Sequence, residues 1–343
     1  MALREFFDKL PLFKGSYRKE PHFFDRKMDW MTPPFSASNA TSSQVCEARQ
    51  KYLAEEFYYH SKFPKQNNDK HVRFEKTPSY LKFGATGARR VYRTLVEPDN
   101  PQVLTTNDVP PGISMTTSTD GSVSTIAIHR QTTLVPDLKL IVCLRNPVDR
   151  AYSAYKMYLR FTRQRRSLLK SLTFEKWIEK EIDMLRDYNL TSAPPLDDFD
   201  YDPEDMGEDR SFFDIPSTFA ERAVLDSRGV AVHLIHGLYS MHLSQWLQYF
   251  PKENIKAVKF ETFVTNQTET MKDLLDFLGY PEQKKYLPSQ ETLAEAVKSP
   301  DVHGTKVQGM SPRTRAYLHK LFRPYNAELA PLLGDEWNDV WER

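Results

Sequence analysis

The sequence predicts an α/β fold with a mostly parallel sheet flanked by helices. Three observations predict it. Apolar runs of strand length alternate with stretches of helical spacing along the chain. The clearest run, residues 139–144 (KLIVCL), is short and rich in β-branched side chains, and it leads through a polar turn directly into a helical stretch. A second strand at 255–260 is likewise followed by a helix at 268–278. Strands separated by helices pair in parallel, because a parallel neighbour needs a long crossover connection.

The elements follow in order. Residues 2–10 carry Leu3, Phe6, Phe7 and Leu10 at helical spacing, and Pro11 stops that helix. Residues 46–62 read as a second helix and 71–74 as a short strand ended by Pro78. Residues 82–96 are helical. Residues 97–131, rich in Pro, Thr, Ser, Asp and Gly, read as a surface insertion with a hairpin at Asp120-Gly121. After the 139–144 strand come helices at 150–161 and 174–190, then an acidic, Pro-rich loop at 192–214. An amphipathic helix covers 236–250. Gly279 closes the 268–278 helix, and the last helix, 313–333, is interrupted near Pro324.

The 343 residues, 40% hydrophobic and 13% aromatic, can fill one large α/β core or two small ones. A formal net charge of +1 gives no global field for nucleic acid, so a polyanion site must be a local patch. Cys46 and Cys143 supply neither a disulfide framework nor a metal cluster, and no metal is expected. Cys143, inside the apolar run, is expected to be a small core residue. No stretch reaches the ~20 apolar residues of a membrane span. Sequons occur at Asn39, Asn189 and Asn266.

Four segments carry candidate chemistry. In RNPVDRAYSAY, residues 145–155, Arg145 stands at the carboxyl end of the strand and Ser153 in the first turns of the next helix. An arginine fork and a hydroxyl converging there suit a phosphate monoester; the bland alternative is an Arg145–Asp149 ion pair and a solvated serine. In KEPHFFD, residues 19–25, the Glu20 carboxylate beside His22 can accept a proton from an alcohol, or the two form an ordinary loop ion pair. In FEKTPSY, residues 74–80, Lys76 at a strand end can neutralise charge on a bridging phosphate oxygen, or lie on the surface. In GLYSMHLSQWLQYF, residues 237–250, most apolar positions are core at helical spacing, and Tyr239 is the residue set near the site. A basic run, Arg160, Arg163, Arg165, Arg166 and Lys170, is either a glycan contact or a solvated helix end.

Taken together and in order, KEPHFFDRK, FEKTPSY, KLIVCLRNPVDRAYSAY, GLYSMHLSQWLQYFP, FLGYP and LFRPYNAELAPLL resemble the Golgi-type carbohydrate sulfotransferases. The pattern is nearest to the N-acetylgalactosamine 4-sulfate 6-O-sulfotransferase branch and more distantly similar to heparan sulfate 3-O- and N-sulfotransferases. The resemblance implies one domain over 1–343, with insertions at 97–133 and 190–225, in a P-loop nucleotide-kinase-like fold. It implies 3′-phosphoadenosine 5′-phosphosulfate (PAPS) as donor, a hydroxyl of a glycosaminoglycan-like carbohydrate as acceptor, and a Golgi location. Arg145 and Ser153 match the family's 3′-phosphate site, with Tyr239 and Lys306 also placed at the nucleotide. Glu20 matches the general base, His22 the acceptor-side active site, and Lys76 a lysine near the transferring sulfonate. Asp25, Lys19 and Arg163 are the acceptor candidates.

The resemblance also implies a first strand and a K-x-G-T-T type loop ahead of the first helix. These are expected before Met1, because Lys14-Gly15 follows that helix. The alternative is an inactive PAP- or glycan-binding protein. A P-loop kinase is disfavoured, since no G-x-x-x-x-G-K-[ST] occurs.

Overall fold

The computed structural model describes residues 6–15, 72–74, 81, 88, 91, 137–162, 173–187, 189–199, 212–213, 232–289, 291–292 and 309–342. The expected helix at 46–62 and the insertion at 97–131 lie outside the described residues. Strands β1 (Phe13–Gly15) and β2 (Val72–Phe74) pair in parallel, as do β3 (Leu140–Leu144) and β4 (Ile255–Lys259). The parallel sheet expected from the strand–helix alternation is present.

Between β3 and β4 run α1 (Pro147–Thr162), α2 (Phe174–Asp187), the short α3 (Val232–Ile235) and α4 (Tyr239–Trp246). After β4 come α5 (Phe260–Thr265), α6 (Gln267–Phe277), α7 (Pro312–Ala327) and α8 (Leu329–Leu333). Gly279, at φ +80°, ends α6 with a left-handed turn, and Tyr280 N–H returns to the Leu275 carbonyl at 2.8 Å. Ser311 caps α7 by accepting from Thr314 N–H at 3.0 Å, and Pro312 fills the first helical position, where no N–H is needed.

Apolar stripes at helical spacing join these pieces. Val148, Ala151 and Tyr155 of α1 pack with Trp177, Ile178 and Ile182 of α2 and with Leu318, Leu321 and Phe322 of α7. On the other side, Phe6, Phe7, Leu10 and Phe13 pack with Val258 of β4 and with Met271, Leu274 and Leu275 of α6. Phe7 and Phe13 rings stand 5.1 Å apart, which fixes the turn between the first helical residues and β1.

The structure corrects several expectations. Residues 13–15 form a strand that the sequence reading missed, because three residues are too few to show an alternation. The helix expected over 236–250 is shorter, Tyr239–Trp246, and the preceding α3 ends at Ile235. A Cβ at Gly237, between them, would lie 2.7 Å from Phe322 Cε1 and 3.1 Å from Pro147 Cβ, so the chain passes too closely for any side chain. Pro324 lies inside α7, and the interruption falls at Glu328. Cys143 is exposed, not core. It points to the face opposite buried Leu144, as the two-residue period of a strand requires.

Candidate functional site

The carboxyl end of β3 is built by three consecutive residues. Arg145 leaves the strand, Asn146 caps the helix, and Pro147 opens it. The Asn146 Oδ1 accepts from Val148 N–H at 3.0 Å and Asp149 N–H at 3.4 Å, and the Asn146 carbonyl accepts from Arg150 N–H at 2.8 Å. Asn146 is itself buried. The amino end of the 16-residue α1 is therefore fixed at the strand tip, where its dipole favours an anion.

Asn146 is also held from outside its own segment. Its N–H donates to Glu261 Oε1 at 2.9 Å, and Glu261 Oε2 accepts from Trp341 Nε1 at 3.1 Å. One carboxylate from α5 thus ties the β3 end to the carboxyl-terminal segment.

The Arg145 side chain lies over the Phe260 ring, 4.9 Å from its centroid. Among the described residues no carboxylate forms an ion pair with it. Asp149, the partner proposed by the bland reading, instead pairs with Arg315 at 2.9 Å. Ser153 is half-buried on α1, seven positions after the cap, so it shares a helix face with Asn146 and Arg150.

Tyr239 is buried at the start of α4, and its hydroxyl donates to the Arg145 carbonyl at 2.9 Å. Burial pushes its phenol up to about 12, against the pull of the neighbouring Arg150 guanidinium, so it remains a proton donor at neutral pH. Arg150 was not singled out in the sequence. Its stem is half-buried, but its Nε has no access to water, and Nη2 donates to the His233 carbonyl. Burial lowers its pKa, while Tyr239 and Glu181 favour the cation. Glu181, buried in α2, accepts from Leu234 N–H at 3.0 Å and meets His233 Nδ1 at 2.6 Å.

The structure therefore brings Arg145 and Tyr239 together at the strand–helix junction, with Ser153 further along the same helix. Lys19, Glu20, His22, Asp25, Lys76, Arg163 and Lys306 lie outside the described residues. Asn146 had a readable signal, since Asn-Pro after a strand is a cap followed by a first helical position. Arg150, Glu181 and Glu261 had none.

Residues 122–311 match the sulfotransferase domain family. The match spans more than half of the 343 residues, and the chain belongs to that family. Human carbohydrate sulfotransferase 15 is 26% identical over 209 residues, which are 59% of this chain and 31% of that protein. Carbohydrate sulfotransferase 15 of Nototodarus sloanii is 31% identical over 101 residues, 29% of this chain and 62% of that protein. The human bifunctional heparan sulfate N-deacetylase/N-sulfotransferase 2 is 22% identical over 223 residues, 62% of this chain and 21% of that protein. The chain thus spans less than a third of either human relative. The crystal structure of a sulfotransferase from Alicyclobacillus acidocaldarius matches with a TM-score of 0.52 and 22% identity, over 100% of this chain and 93% of that one. That likeness bears out the expected sulfotransferase fold.

Proposed function

We propose that this sulfotransferase domain uses PAPS to sulfonate a hydroxyl of a glycosaminoglycan-like carbohydrate. One observation carries the reading: Arg145, with no carboxylate partner among the described residues, stands at the mouth of the Asn146-capped helix that bears Ser153. A guanidinium at a strand end, beside a helix amino end and with a hydroxyl further along that helix, fits a phosphate monoester, here the donor's 3′-phosphate. The names of the matched relatives, a carbohydrate sulfotransferase and a heparan sulfate N-sulfotransferase, support the carbohydrate acceptor.

In the proposed step an acceptor hydroxyl oxygen attacks the donor sulfur. The bond from sulfur to the bridging oxygen of the 5′-phosphate breaks, and adenosine 3′,5′-bisphosphate (PAP) leaves with that electron pair. The hydroxyl proton goes to Glu20. Lys76 offsets the charge growing on the bridging oxygen, and Arg145 with Ser153 sets the donor's register. His22, Asp25, Lys19 and Arg163 face the acceptor in this reading, with Lys306 over the adenosine phosphates. The resemblance supports a Golgi location for the full protein; among the described residues no helix is long and apolar enough to cross a membrane.

The test is transfer of labelled sulfonate from PAPS to sulfated and unsulfated glycosaminoglycans by the full-length protein. The label enters the polysaccharide. Arg145→Ala raises KM for PAPS on the order of 10- to 100-fold, the loss expected for a charge-assisted contact. Wild-type turnover in Glu20→Gln sinks the base assignment. Nucleotide binding with no transfer to any sugar would replace the enzyme with a PAP- or glycan-binding protein.

A further inference from the structure

Arg145 is useful to a phosphate only if its backbone is held still, because a displaced strand tip swings a long side chain away from its target. The residue just past a strand's end has no ladder partner and is the first to fray. At this tip the carbonyl of Arg145 is not left to solvent. The Tyr239 hydroxyl, delivered from α4 and 94 residues away, donates to it at 2.9 Å. Tyr239 is buried, and its phenol proton is given to this bond.

Three features hold Tyr239 there. Gly237 lets the chain before α4 pass against Pro147 Cβ, next to the cap of α1. The Trp341 ring stands 5.9 Å from the Tyr239 ring. Arg150 is near enough to the phenol to act on it electrostatically; its guanidinium donates to the His233 carbonyl within α3, while Glu181 meets the same residue's ring. The chain Glu181, His233, Arg150, Tyr239 thus runs from the buried side of α2 to the peptide of Arg145.

We propose that Tyr239 is a positioning residue for the nucleotide: it acts through the Arg145 carbonyl, with Arg150 as its backing, and aims the Arg145 guanidinium at the 3′-phosphate. The inference rests on the assignment of Arg145 to that phosphate. It differs from a direct nucleotide contact by Tyr239, because the buried hydroxyl is already committed to the Arg145 peptide.

The experiment compares the affinities of the full-length protein for PAP and for adenosine 5′-monophosphate, which lacks only the 3′-phosphate. Their ratio measures 3′-phosphate recognition and is insensitive to the fraction of folded protein. Arg145→Ala collapses the ratio toward one. Tyr239→Phe, which removes a single oxygen, lowers it about 3- to 10-fold, the factor for losing one hydrogen bond. Acceptor KM is unchanged in Tyr239→Phe. A ratio within twofold of wild type in Tyr239→Phe, with Arg145→Ala still collapsing it, overturns the positioning role and leaves the nucleotide reading intact. An unchanged ratio in Arg145→Ala overturns both. Should Tyr239→Phe not fold, Arg150→Lys takes its place: it keeps a cation behind Tyr239 but loses the planar fork to His233. It is read by the same ratio, with a decrease expected and no change overturning the proposal.

Discussion

Glu261 and Asn146 meet across 115 residues, with the Asn146 N–H donating to Glu261 Oε1 at 2.9 Å. The second oxygen of the same carboxylate takes the Trp341 indole N–H at 3.1 Å. Both partners are donors, so the site needs two acceptors side by side. Glu261→Gln supplies one acceptor and sets an NH2 group against the other N–H. Expected is a destabilisation of about 1–3 kcal/mol by denaturant unfolding, the cost of one orphaned buried donor. Unchanged stability would mean that the two contacts contribute nothing net.

Gly237 marks a tight passage beside the site. Its missing Cβ would sit 2.7 Å and 2.9 Å from two atoms of the Phe322 ring, which is fully buried, and 3.1 Å from Pro147 Cβ. Neither neighbour is the free end of a flexible chain. Gly237→Ala is therefore expected to cost about 1–3 kcal/mol, as overpacking does. It should also raise the KM for PAPS, because α4 and α1 are pushed apart at the tip. A stable variant with wild-type KM would show that Phe322 repacks freely.

Asn146→Ala removes the side-chain acceptor for the first N–H groups of α1. The expected loss is about 1 kcal/mol, within the range for caps. Arg315→Ala makes a useful contrast. Its bond to Asp149 joins two side chains that are 45% and 38% exposed, so water screens the attraction and the loss should stay below about 1 kcal/mol. Equal losses in the two variants would contradict this ordering.

Alkaline stability follows from the buried phenols. Tyr239 is shifted from the ordinary 10.0 up to about 12, and burial raises Tyr317 as well. The folded protein keeps protons that the unfolded chain releases above pH 10. Stability from these groups is complete below pH 10 and, for Tyr239, is lost as pH rises to about 12, at ~1.4 kcal/mol per pH unit. Tyr239→Phe should fall less steeply between pH 10 and 12 than the wild type. An identical slope would refute the shift.

The local part of the site could be read from the sequence. Arg145, Asn146, Pro147 and Ser153 lie within nine residues, and strand end, cap, first helical position and helix face are short-range rules. The reading of Cys143 as core failed for a short-range reason too. An apolar run of strand length suggests cover on both faces, whereas alternation along β3 turns Cys143 away from buried Leu144. The late start of α4 has no sequence signal, because the periodicity of 236–250 is sound; the approach of Phe322 and Pro147 leaves Gly237 outside the helix.

Family, parallel strand–helix order and the strand-end arginine are legible along the chain alone, because motif order and hydrophobic period are properties of sequence neighbours. What holds that arginine comes from the packed fold: Tyr239 at its carbonyl, Glu261 at the next N–H, and Arg150 acting on the phenol. A backbone carbonyl or N–H leaves no mark in the sequence of the residue that will satisfy it. Its partner is settled by which segments the core brings together once folding has begun.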